Sequence, residues 1–480
     1  ITFWATVKIG AVLVTVNTAY KIYEAEYLLR QSDTHTLVMT EGYKDTSYTD
    51  IIAKLCPELA TTPKDKPLYS KRLPFLRHVI TVGCEQQGCL TWDESLELAE
   101  NTPVWEVYRR AAAVNKNDVC NMQYTSGTTG FPKGVMLTHY NVVNNGKNIG
   151  DCMDLSTADR LMIQVPMFHC FGMVLAMTAS ITHGTTLCPI PYFSPRVSLD
   201  CINKLQITAF HGVPTMFIAM LEHKDFATTD FSHMRTGIMA GSPCPIKVMQ
   251  DVIEKMHMPE ICITYGQTEA SPGCTMSKTT DSIEDRVNTV GGAMFGVECK
   301  IVDPETGKEL PDNVDGEFVA RGYNIMKGYY KMPHATAQAI DADGWLHTGD
   351  LARRLPNGYF KITGRIKDMI IRGGENIYPK EIEDFIYTNP KVKDVQVIGV
   401  PDKQYGEEIM ACVIKKDDSL TEEELREYIK ANLAKHKVPR YIAFVDSFPM
   451  NAAGKILKYK MREQAVESLS LQDASKIETA

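Results

Sequence analysis

The most informative stretch of this 480-residue chain is Tyr124-Thr125-Ser126-Gly127-Thr128-Thr129-Gly130-Phe131-Pro132-Lys133-Gly134. Apolar segments on both sides of it predict strands. Its glycines free backbone N–H groups to turn toward an anion, its hydroxyls add donors, and Lys133 adds positive charge. The composition therefore predicts a loop that cradles a polyphosphate, with a plain Ser/Thr/Gly surface loop as the alternative. It is not a Walker A loop, because Phe131-Pro132 precedes the lysine and no Ser or Thr follows it.

Two further candidate binding loops follow predicted strands. Strands at 207–211, 236–240 and 261–265 alternate with helices at 214–221 and 246–256, which predicts a parallel α/β sheet. Gly241-Ser242-Pro243 and Tyr265-Gly266-Gln267-Thr268-Glu269 follow two of these strands, and ligands of such sheets bind beyond the carboxyl ends of the strands. Tyr265 is suited to stacking on a base and Glu269 to holding Mg²⁺, although a core tyrosine and a solvated glutamate are the ordinary alternatives.

Turns crowd the chain beyond Gly292, which predicts a β-rich subdomain after the parallel sheet. Thr348-Gly349-Asp350 and Gly364-Arg365 belong to this part of the chain. A carboxylate that accepts from ribose hydroxyls, with an arginine beside it, would suit a nucleotide. A turn with an ion pair is the alternative interpretation.

A small α+β domain is predicted at the end of the chain. Residues 381–387 have a helical pattern, residues 395–400 form a buried-strand run, and Thr421-Glu422-Glu423-Glu424 is a capping box that opens a helix through Leu433. We expect a large domain at residues 1–364 and this small domain at residues 365–480.

Composition excludes several classes of protein. The net charge is −8, from 51 basic and 59 acidic residues without a basic stripe, so nucleic-acid binding is not expected. Apolar runs reach about half the roughly 20 residues of a membrane span. The thirteen cysteines include no C-x-x-C pair, which favours a reducing, cytoplasmic setting. Because the chain opens at Ile1 without methionine, we expect an N-terminally incomplete sequence.

Together with Gly454-Lys455, these motifs resemble the adenylate-forming (ANL) superfamily of acyl-CoA synthetases, luciferases and nonribosomal adenylation domains, over essentially the whole chain. The stretch from Lys367 to Pro379 looks most like the medium-chain fatty-acyl-CoA ligase branch. The resemblance implies ATP, Mg²⁺ and coenzyme A as the small molecules that the protein uses. It leaves the oligomeric state as monomer or homodimer.

The resemblance also implies a role for each matching residue. The ATP or AMP contacts would be Thr125, Ser126, Thr128, Thr129, Lys133, Gly241, Ser242, Pro243, Tyr265, Gly266, Thr268, Asp350, Arg365 and Lys455, with Mg²⁺ at Thr128 and Glu269. Lys455, Glu269, Thr128 and His169 would be the catalytic set, with His169 as a gate beside the carboxylate. Lys367 would be the hinge, and Gly373 and Gly374 would line the pantetheine tunnel of CoA.

For the acyl pocket, the candidates are Phe168, His169, Phe171, Val213 and Met216, with plain core packing as the alternative for all but His169. A Cys170 nucleophile paired with the adjacent His169 is sterically disfavoured.

The reaction implied is fatty-acid–CoA ligation through an acyl-adenylate. In the first step the fatty carboxylate attacks the α-phosphate of ATP and pyrophosphate leaves. In the second step the CoA thiol attacks the acyl-adenylate and AMP leaves, after the small domain has turned about Lys367. The alternatives are a ligase for an aryl or short-chain acid, and a non-catalytic protein that binds a nucleotide or an acyl-adenylate.

Overall fold

The protein is described by a computed structural model over residues 1–125, 132–241, 244–372, 375–402, 405–433, 437–451 and 456–472. Within these ranges it has the predicted mixed α/β fold, with parallel sheets first, a β-rich part next and a separate C-terminal sheet. The boundary at residue 364 and the hinge at Lys367 stay predictions.

The largest sheet has seven strands and carries two of the predicted binding loops. In spatial order its strands are Thr186–Pro189, Arg160–Ile163, Ala209–Gly212, Thr236–Met239, Glu260–Gly266, Gly273–Met276 and Gly292–Ala293. The first five are parallel, and the last two run antiparallel to their neighbours. Helices Pro195–Leu205, Pro214–Leu221 and Ile246–Lys255 connect the parallel strands, so the carboxyl ends of these strands share one edge.

A second sheet holds the predicted phosphate loop. Its strands, in spatial order, are Leu13–Thr15, Val119–Thr125, Lys133–Thr138 and Gly328–Tyr329. Val119–Thr125 and Lys133–Thr138 are antiparallel partners, as the flanking apolar segments predict. Nearer the N-terminus, Thr36–Thr40, His78–Val82 and Leu90–Thr91 form a parallel sheet, and Gly42–Tyr43 pairs with Thr46–Ser47.

The β-rich part is an antiparallel sheet of Val297–Val302, Gly316–Gly322, Leu346–Arg354 and Phe360–Arg365. Phe318 packs on both Tyr265 and Phe360 through T-shaped ring contacts, and its contact with Tyr265 ties this sheet to the end of a strand of the seven-stranded sheet.

The C-terminal sheet has a hydrophobic core on each face. Its strands are Ile370–Arg372, Glu375–Ile377, Val392–Asp402, Gly406–Lys415 and Tyr441–Phe444. On one face, helices Pro379–Ile386 and Glu422–Lys430 contribute Ile382, Ile386 and Leu425 to a core with strand residues. On the other face, helix Lys458–Ser468 contributes Met461 and Ala465 to a second core.

The remaining helices complete the described fold. They are Thr2–Lys8, Ile22–Gln31, Tyr48–Leu55, Trp92–Glu97, Val104–Ala113, His139–Cys152, Ala179–His183, Ile283–Asn288 and Pro333–Ala339, with a π-helix at Phe171–Thr178 and 3₁₀ turns at Pro57–Ala60, Leu98–Asn101, Lys224–Thr228, Thr268–Ala270 and Ile366–Asp368. Among the helices of the described ranges, none combines the length and hydrophobicity that a bilayer span needs.

Element positions agree closely with the sequence patterns. The helix predicted at 214–221 is present with those bounds. The strand predicted from 207 starts at Ala209, because Gln206 is left-handed (φ 49°) and Ile207 N–H still bonds to Ile202 of the preceding helix. Thr421 Oγ1 caps its helix by accepting from Glu424 N–H (3.2 Å), but the helix ends at Lys430 rather than Leu433.

Candidate active site

Tyr265, Asp350 and Arg365 form one cluster beyond the carboxyl ends of the parallel strands. The Tyr265 hydroxyl donates to Asp350 Oδ2 (2.8 Å), and Arg365 Nε donates to Asp350 Oδ1 (2.8 Å). Asp350 and Arg365 face each other in antiparallel register, so the strand pairing itself brings the two charges together. The structure thus joins residues that are up to 100 positions apart in the chain.

Electrostatics fix the protonation of two members of this cluster. Asp350, only 4% exposed, raises the pKa of the Arg365 guanidinium by its negative charge. Burial, and next the Asp350 charge, raises the pKa of Tyr265 well above its ordinary value. Tyr265 is therefore a neutral hydroxyl donor, and an Asp350 carboxylate retains lone pairs that can accept from ribose hydroxyls.

Glu317 fixes the residues just before Asp350 in strand Leu346–Arg354. Its carboxylate, 8% exposed, accepts from Gly349 N–H (3.0 Å) through Oε1 and lies 2.8 Å from His347 Nδ1 through Oε2. Thr348 Oγ1 accepts from Asp350 N–H (3.2 Å) and donates to Phe318 O (2.6 Å). Sequence reasoning missed Glu317, because a glutamate inside an apolar strand, between Gly316 and Phe318, gives no motif of its own.

Gly241 and Gly266 stand where side chains have no room. Gly241 has a left-handed φ of 88°, and an added Cβ would lie 3.1 Å from Val213 Cγ1. At Gly266 an added Cβ would lie 1.8 Å from Pro272 O. Both glycines lie at the carboxyl ends of their strands, as predicted, whereas Ser242 and Pro243 lie outside the described residues.

The ends of the phosphate loop are held by a strand pair. Thr125 and Lys133 are register partners in the antiparallel pair, and the Tyr27 hydroxyl donates to Pro132 O (3.0 Å). The loop residues between them, including Ser126, Thr128 and Thr129, lie outside the described ranges.

Tyr329 connects Lys133 to Glu269. Lys133 Nζ lies 4.8 Å from the centre of the Tyr329 ring, and the Tyr329 hydroxyl donates to Glu269 Oε1 (2.8 Å). Burial, and next the Glu269 charge, raises the pKa of Tyr329, so the hydroxyl stays a donor. Sequence reasoning missed Tyr329, because only the pairing of its strand with Lys133–Thr138 brings it here.

Glu269 has the chemistry that Mg²⁺ prefers. Its main chain is fixed, since Thr268–Ala270 is a 3₁₀ turn and Glu269 O accepts from Met326 N–H (2.8 Å). Carboxylate oxygen is a hard ligand, and Mg²⁺ in such sites takes one or two carboxylates plus phosphate and water oxygens. In the described ranges, no group of three or more His, Cys, Asp or Glu side chains is arranged to hold a metal ion.

Two acyl-pocket candidates lie beside Gly241. An added Cβ there would contact Val213 and Phe171, and both side chains are buried with Met216 in one hydrophobic cluster. Phe168 and His169 are half-buried. His169 Nδ1 accepts from Phe171 N–H (3.2 Å), which fixes the start of the π-helix. This is a rare element that is frequent at functional sites.

His211, which the sequence reasoning missed, packs against Phe171. The two rings stack at 5.8 Å. His211 Nδ1 lies 3.2 Å from Ile238 N–H and Nε2 lies 3.0 Å from Leu175 O, an arrangement that one neutral tautomer satisfies. Burial lowers the pKa of His211 to about 4.

Cys170 is not a nucleophile in this arrangement. The thiol is fully buried, donates to Gln123 Oε1 (2.8 Å), and has a raised pKa because of burial. Reactive cysteines need a lowered pKa and exposure. All thirteen cysteines lie in described ranges and are free thiols.

The remaining predicted site residues lie in the turn that follows Arg365 or outside the described residues. Lys367 lies in the 3₁₀ turn Ile366–Asp368, between the β-rich sheet and the C-terminal sheet. Gly373, Gly374 and Lys455 lie outside the described residues. Between the two domains, Lys393 Nζ pairs with Glu222 Oε2 (2.6 Å), and Tyr378 lies against Gly364.

Comparison with known proteins identifies related families. The family described as AMP-binding enzyme matches residues 1–330, and the AMP-binding enzyme C-terminal domain matches residues 381–455. The Bacillus subtilis protein YngI is 52% identical over 98% of this chain and 86% of its own length. The mitochondrial medium-chain acyl-CoA ligase ACSF2 of Bos taurus is 41% identical over 97% of this chain and 77% of its own length.

A solved structure shares the architecture. ATP-bound MatB from Rhodopseudomonas palustris superposes with a TM-score of 0.80 at 30% identity, covering 96% of this chain and 85% of MatB. Sequence and structure agree over nearly the full length. The chain therefore belongs to the family of AMP-binding enzymes.

Proposed function

We propose that this protein is an AMP-forming fatty-acid–CoA ligase, with medium-chain acids as its preferred substrates. Family membership supports the two-step chemistry of adenylation and thioester formation. The observation that carries the proposal is the Asp350 cluster, in which one buried carboxylate is held between a tyrosine hydroxyl and an arginine at the ligand-binding edge of the sheet. The choice of acid rests on the name of the Bos taurus relative and on the apolar surroundings of Phe171 and Val213.

In the first half-reaction the carboxylate of the acid attacks the α-phosphate of ATP and displaces pyrophosphate. Asp350 accepts from the ribose hydroxyls, Arg365 braces the sugar and phosphate, and the loop Gly241-Ser242-Pro243 receives the adenine. Lys133 and Lys455 neutralise phosphate charge where it develops. His169 lies at the gate to the acid, whose chain extends along Phe171, Val213 and Met216.

Mg²⁺ would be held by Glu269 and Thr128, and it supplies charge neutralisation on the phosphate oxygens. The described part of this site fits the ion, because the Glu269 carboxylate offers hard oxygen ligands near the end of the phosphate loop.

In the second half-reaction the CoA thiol attacks the acyl-adenylate and AMP leaves. The domains meet at residue 364, and the small domain turns about Lys367, which removes Lys455 and presents Gly373 and Gly374 to the thiol path. Their missing side chains leave room for the narrow pantetheine arm. The Lys393–Glu222 pair between the domains is partly exposed (38% and 49%), and such pairs are weak, which permits this rotation.

The cellular setting is part of the same proposal. Thirteen free thiols fit a reducing compartment, and we assign the protein to the cytoplasm as a monomer or homodimer.

The experiment is pyrophosphate release from ATP and Mg²⁺ with fatty acids of 4 to 18 carbons and an aryl acid, with and without CoA. We expect release that depends on the acid, is stimulated by CoA, and is greatest with medium-chain acids. Turnover of the aryl acid alone would overturn the fatty-acid assignment. Silence with every acid would leave a protein that binds a nucleotide without turning it over.

A further inference from the structure

Two glutamates of the small domain are almost completely buried. Each forms an ion pair with a basic side chain next to a segment for which we propose a role. Glu408 is 1% exposed and pairs with Arg372, the residue before Gly373. Glu383 is 3% exposed and pairs with Lys458, three residues after Lys455. These pairs lie outside the nucleotide site described above.

Glu408 and its neighbour Glu407 tie strand Ile370–Arg372 to strand Gly406–Lys415. Ile370–Arg372 pairs along its whole length with Glu375–Ile377, but it meets Gly406–Lys415 at one register pair, Arg372 with Gly406. Side chains of Gly406–Lys415 add further contacts between these two strands. Glu408 Oε1 accepts from Arg372 Nη2 (2.8 Å), and Glu407 Oε2 accepts from Ile371 N–H (2.8 Å). Because Arg372 is bonded directly to Gly373, the Glu408 contact sets where that glycine begins.

Glu383 fixes the chain just after Lys455. Lys458 Nζ donates to Glu383 Oε1 (2.6 Å) and to Val397 O (3.0 Å), and the same Oε1 accepts from Val397 N–H (2.8 Å). Leu457 N–H bonds to Pro449 O (2.8 Å), which fixes the residue before Lys458. Three residues span at most about 11 Å, so this anchor limits how far Lys455 can move within the small domain.

Stability alone does not account for buried ion pairs of this kind. Burying two charges costs about as much as their attraction returns, and well-packed apolar residues often stabilise such positions at least as well. Reactions, by contrast, respond strongly to position, since a misplacement of 1 Å can cost about 100-fold in rate. We therefore expect these ion pairs to affect the reaction rate, through the positions of the groups that they hold, more than the free energy of unfolding.

We propose that Glu408 and Glu383 are positioning residues for different half-reactions. Glu408, through Arg372, places Gly373 and Gly374 for thioester formation. Glu383, through Lys458, places Lys455 for adenylation. This inference rests on the proposed function, in which those segments act in separate steps.

The test measures both half-reactions of Glu408→Gln and Glu383→Gln in the full chain. Adenylation is followed as pyrophosphate release from ATP with a fatty acid, and thioester formation as AMP release from supplied acyl-adenylate with CoA. For Glu408→Gln we expect thioester formation to fall about 10- to 100-fold and adenylation to change less than about threefold. For Glu383→Gln we expect the reverse. Glu427→Gln, whose pair with Lys430 is 63% exposed on both sides, is the matched control and should change neither rate.

Thermal unfolding separates positioning from loss of fold. Since one removed partner leaves a buried charge, Arg372→Lys and Lys458→Arg form a second pair that keeps each charge and alters only its donor geometry. Arg372→Lys should lower mainly thioester formation and Lys458→Arg mainly adenylation, each by a smaller factor than the Gln variants. These two variants test the inference if the Gln variants do not fold. Equal loss of both half-reactions in the folded variants, or no loss in either, would overturn the inference. Failure of the wild-type protein to release pyrophosphate with any acid would instead overturn the proposed function.

Discussion

Two regions hold their proposed active groups in different ways. One is the nucleotide edge of the large domain, formed by Tyr265, Asp350 and Arg365, and the other is the pair of small-domain segments anchored through Arg372 and Lys458. At the nucleotide edge, Tyr265, Asp350 and Arg365 contact one another directly, so the side chains proposed to touch the ligand also build the site. In the small domain, Glu408 and Glu383 hold Arg372 and Lys458, which are neighbours of the proposed active residues along the chain.

This difference fits a site that must serve two steps with one bound nucleotide. A directly packed clamp can stay in place through both half-reactions. Segments anchored within the small domain can be exchanged by rotating that domain as a unit. The predictions below test each side of this comparison.

The largest effect is expected at Lys455. Lys455→Ala should reduce adenylate formation by about 100- to 1000-fold, because a charge aimed at the transition state is removed. Conversion of supplied acyl-adenylate to thioester should stay near the wild-type rate. Lys460→Ala, on the exposed face of the following helix, is the control and should leave both rates unchanged. Equal loss of both steps in Lys455→Ala would remove the division of labour between the domains.

Removing the Asp350 charge should damage the direct clamp. Asp350→Asn leaves Arg365 without this carboxylate partner and weakens the ribose contact, which we expect to cost about 1.5 to 3 kcal/mol, measured as a fall in kcat/KM for ATP. Asp159→Asn is the matched control, since Asp159 is 3% exposed and pairs with Arg235 (2.8 Å) at the amino ends of the parallel strands. A similar fall in kcat/KM in both variants would show that the loss comes from general destabilisation.

Acid should lower the free energy of unfolding of the large domain through protonation of His211. Its pKa is about 4 in the folded protein against an ordinary value of 6.5, so the unfolded chain takes up a proton between these values before the folded one does. Stability is therefore lost as pH falls from about 6.5 to 4, by up to about 3 kcal/mol. Unfolding free energies of His211→Gln should lack this part of the slope. The exposed His334→Gln is the control, and a His211→Gln slope equal to wild type would contradict the neutral buried imidazole.

The smallest effect is expected at Tyr265. Tyr265→Phe removes one hydroxyl donor from Asp350 and should raise KM for ATP about fivefold, equivalent to about 1 kcal/mol. Tyr323→Phe loses a comparable bond to Asn148 (2.7 Å) away from the clamp and should leave KM unchanged. An unchanged KM in Tyr265→Phe would remove this hydroxyl from the nucleotide clamp.

Much of the nucleotide edge could be predicted from the sequence, because its parts lie in local motifs after recognisable strands. Gly241, Tyr265 and Asp350 each belong to such a motif, and the parallel sheet places Gly241 and Tyr265 at one edge, whereas Asp350 comes from the antiparallel sheet beside it. Residues that support the site through long-range packing had no such signal. Tyr329 and His211 reach their partners only through strand pairing and a π-helix, neither of which has a short sequence signature.

The first 120 residues show the same limit. Their patterns are weak, yet Tyr27 of helix Ile22–Gln31 bonds to Pro132 O at the end of the phosphate loop, and Asp33 pairs with Lys331. Such contacts depend on how distant segments pack in three dimensions.

The most direct measurement follows both half-reactions of Gly374→Leu in parallel, as pyrophosphate release from ATP with a fatty acid and as AMP release from supplied acyl-adenylate with CoA. If the large domain holds the nucleotide and the small domain supplies the thiol path, the variant keeps the first reaction and loses the second. Loss of the first reaction to the same extent would contradict the division of the two steps between the two regions.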